Sequence, residues 1–197
     1  MIERNSNRLL ELVNQLLDFR KIEEEMFILN RERTDINGIV RKVYAQYEYE
    51  ARAKNIDLRI ELPGEEVGCL VDAEAIFKVI SNLMSNAIKY SNEGGRIVIS
   101  VRETPTHAVI SVRDFGTGIS EENLPKLLNP EIHYMTYGTK NEKGSGLGLQ
   151  LVQDLTRRNG SELTIESAEG EGSTFTFTIA KEQPRSETVE DTSGGIA

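Results

Sequence analysis

Apolar positions along this chain change period several times, and each change marks an element. Ile2, Leu9, Leu12, Leu16 and Phe19 recur at a seven-residue spacing, backed by Val13 and Leu17 with Arg, Glu and Asn between them. That pattern predicts one exposed amphipathic helix over residues 1–25. So strong a stripe needs a cover, and the pattern after it is complete without it, so it reads as half of a helical hairpin or bundle. A short strand is expected over Phe27 to Arg31. Thr34 or Asp35 is then placed to cap a long helix reaching about Lys54. Leu58, Ile60 and Leu62 alternate as a strand, Pro63-Gly64 turns, and a second strand ends at Val71.

Asp72 caps the next helix, where Ile76, Val79, Ile80, Leu83, Met84, Ala87 and Ile88 form one buried face. Gly94-Gly95 closes it. Ile97, Ile99 and Val101, then Ala108, Ile110 and Val112, alternate on two strands joined at Thr104-Pro105-Thr106. From Phe115 to about Gly146 no period survives, and a loop that long inside a domain is usually functional, often a lid. A helix over Leu147–Asn159 turns Leu151, Val152 and Leu155 inward and stops at Gly160. Strands at Leu163–Ser167 and Thr174–Ile179 put Leu163, Ile165, Phe175, Phe177 and Ile179 on one face. The residues after Lys181 have little to bury, and residues 183–197 read as a disordered tail. The tally predicts an α+β fold: a two-layer sandwich of a mixed, mostly antiparallel sheet with helices on one face, plus the N-terminal helix.

Composition narrows the function. The 197 residues are 38% hydrophobic and 28% charged, ordinary values for a folded domain. A net charge of −9 argues against a broad nucleic-acid surface, so any polyanion must enter a local pocket with a metal to help. The single cysteine, Cys69, excludes an intrachain disulfide and fits a reducing compartment. No apolar run reaches the ~20 residues of a membrane span, and no signal-peptide core is evident, so the chain reads as cytoplasmic in character.

The polar positions carry the chemistry. On the helix after Asp72, Asn82, Asn86 and Lys89 fall within about 60° of one another at ~100° per residue. An amide oxygen is a hard, neutral ligand suited to Mg²⁺, and a nearby lysine suits the phosphates Mg²⁺ would carry. On its own this face is equally a solvated polar stripe. Asp114-Phe115-Gly116-Thr117-Gly118 ends a strand. Its carboxylate can accept from an exocyclic amine and its glycines allow close approach, although Asp-Gly at a strand end is also an everyday turn. Gly144-Ser145-Gly146-Leu147-Gly148-Leu149 leads into a helix whose free N–H groups can receive phosphates. It is neither a Rossmann fingerprint nor a P-loop, since no strand precedes it and no GK[ST] occurs. Gly170-Glu171-Gly172-Ser173-Thr174 is a hairpin turn.

In conjunction, an Asn-x-x-x-Asn-x-x-Lys-Tyr helix, DxGxG, a long loop, GxGxG into a helix and a GST hairpin resemble the ATP-binding domain of sensor histidine kinases. Those kinases belong to the gyrase, chaperone, histidine-kinase and mismatch-repair ATPase superfamily. The match runs from roughly Arg33 to Ala180. The stretch LLELVNQLLDFRKIEEE looks like the second helix of the dimerisation and phosphotransfer hairpin that precedes such domains. The implied organisation is that helix over 1–25, a catalytic ATP-binding domain over 26–182 with its lid at about 116–146, and the tail.

The resemblance implies roles residue by residue. Asn86 would be the Mg²⁺ ligand, Asn82 would flank it, and Lys89 would contact phosphate. Tyr90 would pack near base or ribose. Asp114 would read the adenine amine, aided by a water that Thr174 could share, and Gly116 and Gly118 would permit close approach with Ile119 lining the pocket. Gly144, Ser145, Gly146, Leu147, Gly148 and Leu149 would hinge the lid over the phosphates. The lid LPKLLNPEIHYMTYGTKNEK keeps Tyr134, Tyr137 and Lys140 but not the family's usual phenylalanines, leaving Lys140 and Lys143 as candidates for the γ-phosphate. Neither His107 nor His133 lies in the His-acid-x-x-x-Pro context of a phosphoacceptor, so the chain reads as a fragment whose acceptor lies elsewhere. Implied partners are ATP, the phosphoacceptor hairpin of a homodimeric parent, anchored in the inner membrane or not, and a response regulator receiver domain. An ATP-driven clamp is the alternative, but the position of its water-activating glutamate is Asn82, and an amide cannot take a proton. A non-catalytic scaffold would predict eroded glycine boxes.

Overall fold

Two aspartates start the two long helices. The computed structural model describes residues 28–129, 138–139 and 146–181. Strand β1 (Glu32–Asp35) runs into α1 (Ile36–Ala53), where the Asp35 carboxylate accepts from the N–H groups of Asn37 and Gly38, both at 3.0 Å. After β2 (Asp57–Glu61) and β3 (Gly68–Val71), Asp72 caps α2 (Ala73–Tyr90) by accepting from Ala75 N–H at 2.9 Å. Its other oxygen takes the Asn30 N–H at 2.9 Å, pinning the incoming chain to the same helix start. The remaining elements are β4 (Arg96–Glu103), β5 (His107–Asp114), α3 (Leu124–Leu128), α4 (Leu147–Arg158), β6 (Thr164–Ala168) and β7 (Gly172–Ala180).

The main sheet has the order β2-β4-β5-β7-β6, with β2 and β6 at its edges. Only the β2–β4 pair is parallel. One sheet face buries Ile97, Ile99, Ile110, Val112, Phe175 and Phe177. Against them lie Ile36, Val40 and Val43 of α1, Ile76, Ile80, Leu83 and Met84 of α2, and Leu151 and Leu155 of α4. Each such side chain contributes about 2 kcal/mol on leaving water, which is why α2, apolar on its inner face for its whole length, sits at the centre. The α+β sandwich expected from the sequence is therefore present.

The details differ in three places. The first strand begins at Glu32, not Phe27: Ile28 is exposed, and pairing with β3 in the register Glu32↔Val71 fixes where the ladder starts. β1 and β3 form a separate antiparallel ribbon rather than joining the main sheet. The aperiodic stretch after Phe115 holds the five-residue α3, with Pro125 in its first turn, too short to show a period. The N-terminal helix expected over 1–25, most of the lid and the tail lie outside the described residues. No described helix is long and apolar enough to cross a membrane.

Candidate functional site

The last turn of α2 is where distant segments meet. A helix leaves its final carbonyls without intrahelical partners, and here three of them are taken by other parts of the chain. Ile88 O accepts from Lys54 Nζ at 2.7 Å, and Lys89 O accepts from the Thr139 N–H at 3.2 Å. Tyr90 O accepts from Thr117 N–H at 3.1 Å, which docks the DxGxG loop on the helix end. Gly116 packs there so closely that an added Cβ would fall on the Tyr90 carbonyl. The Ser91 hydroxyl beside it is fully buried with no partner among the described residues.

Asp114 ends β5 on the helix-facing side of the sheet, 3% exposed, and its Oδ1 accepts from Gly116 N–H at 3.0 Å. Burial pushes its carboxyl above the ordinary value, partly offset by the N–H groups of Gly116 and Ser173. The loop beyond is held in turn. Ile119 N–H donates to Ser167 Oγ at 2.9 Å, and Ser167 Oγ lies 2.9 Å from Ser173 Oγ. Ile119 itself packs against the core.

The raised carboxyl has a signed consequence. A group whose folded pKa exceeds its unfolded value contributes stability that is complete below the unfolded pKa and is lost as pH rises through the folded one. Asp114 ionises near 3.8 in the unfolded chain and higher when folded. Compared with an Asp114→Asn variant, the parent protein should therefore lose stability as pH rises above the unfolded value of 3.8 and through the higher folded one. Melting temperatures of the pair across that range check this; a constant difference would contradict it.

On α2, Asn82, Asn86 and Lys89 are half-buried on the face turned from the core. Asn82 Nδ2 donates to Lys78 O at 2.8 Å, and an ideal Cβ on Gly148 would come within 2.9 Å of Asn82 Oδ1. The second glycine box thus rests on the amide helix, 66 residues away in sequence, and a Cβ at Gly148 would oblige the Asn82 amide to shift. Gly146, at φ +72°, begins α4 with no side-chain cap and no acidic residue in the first turn, a helix start that suits an anion. Leu147 and Leu149 are half-buried on that first turn. Lys89 Nζ stands 4.9 Å from the centre of the Tyr90 ring. Lys140, Lys143, Gly144, Ser145 and His133 lie outside the described residues. His107 is exposed at the start of β5, its Nδ1 2.8 Å from Thr106 Oγ1, away from this cluster.

One expected site residue is corrected. Thr174 pairs with Arg113 in the ladder, on the sheet face opposite Asp114. The hydroxyl on the Asp114 side is Ser173, buried and in register with it. Lys54, Thr139, Ser167 and Ser173 were not singled out from the sequence. For Ser173 the signal was available in the strand's alternation with Phe175 and Phe177.

The donor set suits a magnesium nucleotide. It offers a buried acceptor for an amine, two amides and a lysine along one helix face, and a helix start without a side-chain cap close to them.

The sequence profile of the histidine kinase-, DNA gyrase B-, and HSP90-like ATPase family matches residues 71–183. Sensor histidine kinase WalK of Bacillus subtilis is 30% identical over 97% of this chain, which covers 31% of WalK. Among solved structures, the catalytic domain of histidine kinase ThkA is similar at 31% identity and a TM-score of 0.67, over 77% of this chain and 96% of that one. ThkA in complex with response regulator protein TrrA matches at 27% identity and a TM-score of 0.70, over 92% of this chain and 49% of that one. The chain spans well under half the length of the curated relatives it matches.

Proposed function

Because the chain belongs to the histidine kinase-, DNA gyrase B-, and HSP90-like ATPase family and carries the catalytic-domain fold of histidine kinases, we propose that it binds Mg-ATP and presents the γ-phosphoryl to a histidine other than its own two. The observation that carries this reading is the convergence on α2: Gly148 against Asn82 at mid-helix, and Gly116 and Thr117 on Tyr90 at its last turn. That brings the loop after Asp114 and the start of α4 onto the same helix, which supports assigning the base to the first and the phosphates to the second.

In this reading Asp114 accepts from the adenine amine, with Ser173 as the neighbouring hydroxyl. Gly116, Gly118 and Ile119 form the wall at the base, and Tyr90 packs near base or ribose. Lys89, the N–H groups beginning at Leu147, and Lys140 or Lys143 offset phosphate charge, which an acidic protein must do locally. Asn86 holds the metal, with Asn82 beside it. Magnesium, when bound, supplies charge neutralisation on the phosphates. Asn82, its amide nitrogen occupied by Lys78 O, can position but cannot deprotonate a water, so transfer is favoured over hydrolysis. We also assign residues 1–25 to the second helix of a phosphotransfer hairpin, 26–182 to the ATP-binding domain and 183–197 to a tail. The parent would be a dimeric kinase signalling to a response regulator, this domain being cytoplasmic.

Calorimetry should show one saturable site for ATP, weakened when Mg²⁺ is chelated. Asn86→Ala should shrink that metal effect at least threefold (about one coordination bond or hydrogen bond lost), while leaving metal-free binding near the parent's. An Asn86→Ala protein with undiminished metal dependence would count against the ligand assignment. With labelled ATP the chain should gain no acid-labile phosphate itself but should label a separate acceptor hairpin; labelling of His133 would overturn the transfer in trans.

A further inference from the structure

Lys54 closes α1 yet is only 6% exposed, and a lysine is rarely buried unless its charge is answered. Its three ammonium protons are met by Ile88 O at 2.7 Å, Lys89 O at 3.2 Å and Thr139 Oγ1 at 2.7 Å. Two of these are last-turn carbonyls of α2, the negative end of that helix, where a cation belongs. The third lies 85 residues away, between the two glycine boxes. Thr139 Oγ1 also lies 3.0 Å from both Lys89 O and Ser91 O, and its N–H donates to Lys89 O at 3.2 Å. A hydroxyl has one proton, so Thr139 accepts from Lys54 and donates to one of these carbonyls. Thr139 is exposed, and an exposed threonine has no packing reason to sit there. Its backbone and side chain are both spent on the end of the helix that carries Asn86 and Lys89.

From this arrangement we propose that Lys54 and Thr139 are a positioning pair for the nucleotide site. The ammonium neutralises the end of α2 and gives Thr139 its seat, and Thr139 is held at that point beside Lys89. The same helix end holds the DxGxG loop through Tyr90 O, so the base-reading and phosphate-reading halves share one anchor. Neither residue touches substrate in this account; they act through Lys89 and the end of α2. The inference rests on the ATP-binding reading above.

The test uses the full chain. Thr139→Val keeps the shape and removes the hydroxyl. Losing one of the three partners of the buried Lys54 ammonium should lower the melting temperature by a few degrees, as for any hydrogen bond to a charged group, while affinity for Mg-ATP falls about tenfold. Thr139→Ser should restore binding, which a purely steric role would not require. Lys54→Met should lower affinity similarly and also speed amide exchange at Thr139. The parent titration is run first. No saturable ATP binding there sinks the functional reading and this one together. Parent binding with an unchanged Thr139→Val titration, or a serine variant as weak as the valine one, overturns the positioning pair alone.

Discussion

Replacing Asp114 with asparagine should leave the fold standing and cost about 10- to 100-fold in ATP affinity. The range follows from losing a hydrogen bond to a charged group in a water-excluded place. Asn is nearly isosteric, and its amide oxygen can still accept the Gly116 N–H that Asp114 takes at 3.0 Å. What changes is the second arm, where a carboxylate oxygen becomes an NH₂ and meets the adenine amine donor to donor. The same swap predicts a change of selectivity. A purine with a carbonyl in place of the amine should bind the variant relatively better, so the ATP-to-ITP affinity ratio should collapse. Calorimetry with both nucleotides measures it, and an unaltered ratio would remove Asp114 from the base-reading role.

Gly118→Ala is expected to cost about 3 kcal/mol of stability, combining ~1–2 for a left-handed residue with a Cβ and ~1–3 for overpacking. Gly118 has φ +64°, and an added Cβ would land on the Ala168 carbonyl at the end of β6. Neither neighbour can give way cheaply. The loop is tied on both sides, by Gly170 N–H to Thr117 O at 2.8 Å and by Ile119 N–H to Ser167 Oγ at 2.9 Å. For a domain of this size the melting temperature should drop by about 10 °C, and nucleotide affinity should fall with it because the Asp114 loop must shift. A variant melting within about 2 °C of the parent would show that the close approach to β6 is dispensable.

Much of this was legible in the sequence because local chemistry and global packing agree there. α2 announces itself by an Asp cap and an apolar residue every three or four positions, and its polar face falls where the spacing puts it. Strands β4, β5 and β7 were readable from strict alternation. Where pairing rather than pattern decides, reading failed. The apolar run that opens Phe27–Arg31 suggested a strand, but the ladder begins only where β3 offers a partner, at Glu32. Thr174 was displaced by one residue, and in a strand one residue is the difference between two faces. The resemblance pointed to a hydroxyl after the glycines, while the alternation with Phe175 and Phe177 already put Ser173, not Thr174, on the side of Asp114. Lys54 left no local trace. Its partners lie 34, 35 and 85 residues further along, and nothing in a single sequence joins them.

The two outer strands of the main sheet carry one more consequence. β2 exposes Asp57, Arg59 and Glu61 in alternation, with Asp57 held by Arg59 at 2.8 Å and Arg96 at 3.2 Å, and β6 is five residues long and exposes Thr164 and Glu166. Such short, charged borders resist the stacking of further chains onto an open ladder. Copies brought together at high local density should therefore remain individually folded units rather than fuse into continuous sheets.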